Sequence, residues 1–177
     1  LEDPYYNQIL YVPMLAYNLY DGISPGIRFH NKTILDKPFT FDINPSYSTK
    51  TNMLIGNFSL GVNQNYRNSR LYNIRYTMNG SYFHYAQDAT YLKLNPAVIM
   101  NIREPNFRDN RKQAIVFRYN IVDKERSKII NDTNENYSVF NVKYFNTKTE
   151  VTNHLNFNSD IQFSSGFGKL AGEVQYR

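Results

Sequence analysis

From Leu54 to His84 apolar and polar residues alternate with a strictness that leaves few folds open. In the first half Leu54, Phe58, Leu60, Val62 and Tyr66 take every second position, with Asn57, Ser59, Asn63 and Asn65 between them. In the second half Tyr72, Ile74, Tyr76, Met78 and Tyr82 alternate with Asn73, Arg75, Thr77, Asn79 and Ser81, and Arg67 to Arg70 separates the halves. A period of two is the signature of a strand, because successive side chains point to opposite faces. The two runs therefore predict a hairpin. Each run is about a dozen residues, beyond the usual five or six of a globular strand and close to what crosses a bilayer at a tilt.

Composition bounds this reading. The chain has 177 residues, enough for one domain with a core. Its mean hydropathy is negative and no run of about 18 apolar residues occurs, which excludes a transmembrane helix. Transmembrane strands stay open, since their alternation averages out as polar. The aromatic load is 16 Tyr and 12 Phe with no Trp. Tyr suits a bilayer interface, and the abundant Asn and Ser suit a wet barrel interior. With no cysteine, disulfides, thiol catalysis and cysteine metal sites are excluded. The net charge of +5 comes from Lys and Arg scattered through turns and polar strand faces, so no nucleic-acid partner is expected. Residues 1–8 carry neither the basic nor the apolar stretch of a signal peptide and read as a linker.

Taken in order, a first strand is expected over Ile9 to Asn18; Pro13 cannot donate to a ladder, which places this strand at an edge or at a bulge. After the Asp21-Gly22 turn, Ile23, Ile27 and Phe29 alternate with Ser24, Gly26, Arg28 and His30. Asn31 to Lys37 is a polar connection. Phe39, Phe41, Ile43 and Tyr47 then alternate with Thr40, Asp42, Asn44 and Ser46, and Ser48 to Asn52 turns into the long hairpin. Beyond a turn at Ala86 to Thr90, Leu92, Leu94, Val98 and Met100 alternate with Lys93, Asn95, Ala97 and Asn101. Arg103 to Lys112 is a charged loop. Ile115, Phe117, Tyr119 and Ile121 form the next strand, and Asp123 to Asn136 the most polar connection. Phe140, Val142 and Tyr144 mark an eighth strand, Val151 to Phe163 a long ninth, and Leu170, Val174 and Tyr176 a tenth after a turn at Ser164 to Gly168.

About ten strands joined by mostly short connections, with no helical period between them, predict an all-β, up-and-down antiparallel meander. One domain spans 1–177. The strand pattern alone leaves open whether the apolar face points into a soluble core or out to lipid. Strand length, bulky charged residues on the polar face and tyrosines near strand ends favour lipid. The lipid-facing set is then Phe39, Phe41, Ile43, Phe58, Leu60, Val62, Ile74, Tyr76, Leu94, Val98, Phe117, Tyr119, Leu155 and Phe157. The lumen-facing set is Arg28, Asp42, Arg75, Lys93, Arg118, Lys143, His154, Asp160 and Glu173.

The stretch Tyr17-Asn18-Leu19-Tyr20-Asp21-Gly22-Ile23-Ser24-Pro25-Gly26-Ile27-Arg28 resembles the Asn-x-x-Asp-Gly and Gly-x-Arg pattern of bacterial surface-antigen outer-membrane barrels. With Lys37-Pro38-Phe39 and the following meander, it is most similar to the barrel-like region downstream of the catalytic domain in Gram-negative gluzincin-type metallopeptidases. The resemblance implies an outer-membrane segment attached to the rest of a longer chain. It does not bring the activity with it. Gluzincins bind zinc through a His-Glu-x-x-His helix, and none of His30, His84 and His154 is followed by Glu.

Other candidate chemistry is weaker. Gly22-Ile23-Ser24-Pro25-Gly26 matches a nucleophile-elbow pattern, but Pro25 has no N–H to complete an oxyanion hole, and a strand follows where a helix is required. The three histidines lie far apart in sequence. Asp42, Glu150, Asp160 and Glu173 share polar faces with Arg28, Arg75, Lys93, Arg118, Lys143 and Lys169, which reads as an ionic network filling a narrow barrel. The cluster Lys124, Glu125, Arg126 and Lys128 reads as a solvated loop.

The expectation is an integral β-barrel segment of the bacterial outer membrane, or the greater part of a barrel. Its role would be to anchor or display a neighbouring domain, with outer-membrane lipid as partner, passive transport less favoured, and no cofactor. Arg177 lacks the aromatic carboxyl terminus of complete barrels, in keeping with a truncated piece. Two alternatives remain. A soluble lipocalin-like barrel or sandwich would pack Phe41, Phe58, Leu60 and Ile74 inside. A ten-stranded outer-membrane hydrolase would gather carboxylates and a histidine at one rim.

Overall fold

A computed structural model of the chain describes residues 8–33, 37–106, 108–130 and 136–177. Ten strands run β1 (Leu10–Asn18), β2 (Gly22–His30), β3 (Phe39–Tyr47), β4 (Leu54–Asn65), β5 (Leu71–Ala86), β6 (Ala89–Arg103), β7 (Lys112–Lys124), β8 (Tyr137–Thr149), β9 (His154–Ser164) and β10 (Phe167–Tyr176). They form a single sheet in the order β1 to β10, so every strand neighbours the next in sequence. This is the predicted meander, with no helix among the described residues. Among the described residues β1 and β10 stand first and last in that order, each with a single neighbouring strand. Pro13 thus sits on an edge strand, where its missing N–H costs no ladder bond on the open side.

The pleat sorts the side chains. The registers Phe29↔Ile43↔Phe58, Phe41↔Leu60 and Phe39↔Val62 put these apolar residues in rows on one face. On the other face His30↔Asp42↔Ser59 make a polar row. The β2–β3 ladder is interrupted between Gly26↔Ser46 and Phe29↔Ile43, where Pro45 falls and has no N–H to donate. In β1 the alternation fails. Tyr11, Leu15 and Tyr17 lie opposite Phe29, Pro25 and Ile23, while Leu10, Val12 and Met14 lie opposite His30, Arg28 and Gly26, so both faces are apolar.

The chain's contacts divide it into two compact units. One holds the described residues through Val62 together with Thr77–Asn95 and Ile121–Tyr137. Its clearest packing feature joins β4 and β5: the Phe58 ring lies over Gly80, where a Cβ would come within 2.3 Å of the ring. The other unit holds Asn63–Tyr76, Pro96–Asn120 and Ser138–Arg177. There Phe140↔Phe163, Val142↔Ile161↔Leu170 and Phe157↔Val174 carry the apolar face, and Lys143↔Asp160 the polar one.

Strand bounds differ from expectation mainly in the second unit. β8 runs to Thr149, well past Tyr144. β9 starts at His154, because Glu150 N–H donates to Asn153 O (2.7 Å) and closes a turn. Val151 and Thr152, expected in the ninth strand, lie in that turn, and Val151 is fully exposed. Residues 1–7 of the expected 1–8 linker, and the middle of the connections at 34–36 and 131–135, lie outside the described residues.

Candidate functional site

An antiparallel meander returns alternate connections to the same end. The β1–β2, β3–β4, β5–β6 and β7–β8 connections therefore share one rim, and in the first unit they are tied together by buried polar groups. The tight reversal over residues 19–21 closes at Gly22, whose φ of +71° is open to glycine and strained for other residues. Asn18, four residues earlier, accepts from Tyr20 N–H (3.3 Å) and donates Nδ2 to Asp21 Oδ2 (3.0 Å) and to His84 O (2.8 Å).

Asp21 is the centre. It is wholly buried, and its carboxylate meets His84 Nδ1 through Oδ1 (2.7 Å) and His84 N–H through Oδ2 (3.2 Å). Thr51 Oγ1 stands 3.4 Å from Oδ1, the second contact to that oxygen, while Asn18 Nδ2 shares Oδ2. The Asp21 carbonyl in turn accepts from Ser48 Oγ (2.8 Å) and Lys50 N–H (3.2 Å). Thr49 Oγ1 donates to Ile23 O (2.7 Å) and Lys50 Nζ to Leu19 O (2.9 Å). Ser48 itself organises its turn, accepting from Thr51 N–H, while Asn52 takes the left-handed conformation. Three segments, β1, the β3–β4 connection and β5, thus converge on one carboxylate in the β1–β2 turn.

An ionised carboxylate only accepts hydrogen bonds, so Nδ1 of His84 carries the proton toward Asp21 and leaves Nε2 as the acceptor in the neutral ring. His84 also lines a cleft of about 600 Å³ with Tyr20, Lys50, Thr51 and Asp88. Asp88, in the β5–β6 turn, accepts from Ser127 Oγ (2.7 Å) and Lys128 N–H (2.8 Å), and Ser127 Oγ accepts from Ile130 N–H (3.2 Å). The Ser127 hydroxyl, with the Lys128 amide behind it, holds the Asp88 carboxyl below the ordinary carboxylate range. Glu125 is fixed to the same turn, its carboxylate accepting from Thr90 N–H (3.0 Å). Among the described residues no hydroxyl is hydrogen-bonded to His84 at this rim, so a nucleophilic triad is not assembled there. No group of three or more metal-ligating side chains collects among the described residues.

The expected lumenal residues form two separate clusters. Arg28 grips Asp42 with both prongs (Nε–Oδ1 3.0 Å, Nη2–Oδ2 2.6 Å), and Lys32 Nζ adds a third contact at 2.9 Å. Lys143 Nζ meets Asp160 Oδ2 at 2.9 Å, and Asn141 Nδ2 donates to the same carboxylate. Arg75, Lys93, Arg118 and Glu173 are exposed and join neither cluster. His154 meets Thr149 Oγ1 (3.0 Å) at a strand end, and Glu150 pairs with Lys148 (2.6 Å). Ser24 of the elbow-like pattern is buried within β2, a strand and not a turn.

The Asp21–His84 pair escaped the sequence reading because the residues stand 63 positions apart. A signal was present. Asp21 sits in the quoted turn motif, and His84 ends an apolar face at which a polar ring needs a partner. No protein-family model matches the chain, and no curated protein or solved structure matches it.

Proposed function

We propose that this chain is an integral β-barrel segment of a bacterial outer membrane that anchors or displays a neighbouring domain. The observation that carries the reading is an inverted burial pattern. Among the described residues the buried hydrophobic side chains are five, Ile74, Ala86, Ala89, Val116 and Val122, whereas ten polar or charged residues are buried, among them Asp21, Asn31, Asp42, Ser48 and His84. Large apolar side chains stand exposed along most strands, including Ile27, Ile43, Val62, Tyr76 and Leu170. A face of this extent in water would be an association or aggregation surface; against lipid it is at rest. The soluble alternative needs Phe41, Phe58, Leu60 and Ile74 inside, and of these Ile74 alone is buried.

Attachment to a metallopeptidase is the finer part of the proposal and is supported only by the resemblance around Tyr17 to Arg28 and the strand rhythm. Folding the purified chain with and without detergent, followed by gel mobility with and without heating, tests the membrane reading. A β-rich, heat-modifiable form that appears only in micelles supports it. A cooperative monomer in plain buffer sinks it.

The Asp21–His84 pair beside Asp88 favours a second reading, a rim hydrolase in which His84 Nε2 takes a proton from water. Hydrolysis of peptide or ester probes by the micelle-folded chain, abolished by His84→Gln, would support it. Turnover that survives the substitution would remove it.

A further inference from the structure

The second unit carries a different rim, at the β4–β5 turn and the β6–β7 connection. Residues 66–70 and 103–112 hold six basic side chains against two acidic ones. Arg103 clamps the turn. Its backbone N–H donates to Arg70 O (2.8 Å), its Nε to Ser69 O (3.2 Å), and its Nη2 to Arg67 O. The clamp makes a cleft of about 420 Å³ lined by Arg67, Asn68, Ser69, Arg70, Arg103 and Glu104. Glu104 is already engaged, by Arg111 Nη1 (3.6 Å) and Gln113 Nε2 (3.2 Å). Among the described residues Arg67 and Arg70 form no ion pair, and both are exposed. The Arg103 guanidinium is spent on carbonyls, which leaves its charge uncompensated.

A cleft with three uncompensated guanidinium charges, two of them free to turn their planar forks outward, suits the oxygens of a phosphate group. The flanks indicate where that phosphate comes from. Tyr66 and Tyr72 bracket the turn, joined by Tyr66 N–H to Tyr72 O (2.8 Å), and both rings stand exposed at the end of the apolar alternation. Tyrosine belongs at the level of lipid headgroups, next to the apolar band. On the membrane reading above, on which this inference rests, the arginines then lie at phosphate depth. We infer that this cleft binds the phosphate of an anionic lipid headgroup.

The test uses the full chain folded in zwitterionic micelles, with bound lipid read by native mass spectrometry. Phosphatidylglycerol should be retained roughly tenfold or more over phosphatidylcholine of the same acyl chains, as two basic residues near a headgroup layer allow. The pair Arg67→Gln with Arg70→Gln should erase that preference, and Arg126→Gln with Lys128→Gln, on the β7–β8 connection, should leave it. Millimolar inorganic phosphate should not displace the lipid. Equal retention of the two lipids, or a preference that survives the Arg67 and Arg70 changes, overturns the inference. Displacement by inorganic phosphate overturns the lipid source and assigns the cleft to free phosphate. A chain that folds only in micelles yet shows no preference sinks this site alone, whereas folding in plain buffer sinks the membrane reading itself.

Discussion

Asp21 and Asp42 are both buried carboxylates with cationic or ring partners, and their surroundings predict different sensitivities. Replacing Asp21 by Ala leaves His84 Nδ1 and His84 N–H without their acceptor in a buried place and takes one of the two acceptors of Asn18 Nδ2. Breaking such a pair costs about 3 kcal/mol or more. The Asp42 partners Arg28 and Lys32 have side chains about half exposed and turn to water when the carboxylate goes. Its loss should cost less, on the order of 1 kcal/mol. Urea midpoints of Asp21→Ala and Asp42→Ala in the folded, micelle-bound state check this order, and an equal or reversed effect contradicts it. Asp88 gives a pH prediction of fixed sign. Because its carboxyl titrates lower folded than unfolded, its contribution is complete above the ordinary carboxylate range and fades as pH falls through it. A carbon-detected NMR titration should place Asp88 below a free aspartate, and Ser127→Ala should bring it back toward the free value.

At the scale of elements, legibility followed the pleat. β3 came out of its alternation at Phe39–Tyr47 as observed, since each of its residues has one face to serve. β8 outruns its alternation, because past Tyr144 the apolar face continues as Asn146 and Lys148 while Phe145 falls on the face of Asn141 and Lys143, and the ladder with β9 rather than hydropathy holds these residues in the strand. Val151 and Thr152 misled in the opposite sense, as β-branched residues placed in a turn by the Glu150–Asn153 hydrogen bond. The rim site was half visible. The turn chemistry of Asn18, Asp21 and Gly22 lies in the sequence, but its partner on β5 is set by tertiary placement. The β4–β5 pair offers a direct test of cross-strand packing. A Cβ on Gly80 would stand 2.3 Å from the Phe58 ring, so Gly80→Val should destabilise by about 1–3 kcal/mol through overpacking. Phe58→Ala removes the obstacle, and Gly80→Val made in that background should cost clearly less. A double-mutant cycle of denaturation midpoints reads the coupling, and additive effects would show that ring and glycine do not meet.

For the molecule as a whole, the question is which solvent the apolar face was built for, and a single charge placed on it can answer. Ile43 lies mid-strand in β3, between Phe29 and Phe58 in the apolar row, and is 40% exposed. In water a partly exposed isoleucine replaced by arginine loses some packing but keeps its charge hydrated, a change of about 1 kcal/mol. In lipid the same arginine sits in hydrocarbon and costs roughly 2–4 kcal/mol near the bilayer midplane. Asn57, exposed on β4 and on the polar side of the pleat, provides the internal control, since an arginine there meets water in either case. Folding into phosphatidylcholine vesicles, followed by urea titration, should therefore show Ile43→Arg losing several times the stability that Asn57→Arg loses. Comparable losses would mean that both faces see water, and the burial inversion would then have to be explained by association with another protein surface instead of a membrane. The unpaired edges sharpen the point. Backbone groups of β1 and β10 facing hydrocarbon without partners would each cost several kcal/mol, so in a bilayer these two strands must pair, with one another or with further strands. Amide hydrogen exchange on Leu15 and Val174, whose N–H groups point away from β2 and β9, should be slow in vesicles and fast in any water-soluble form, and that contrast ties the edge pairing to the same choice of solvent as the Ile43 substitution.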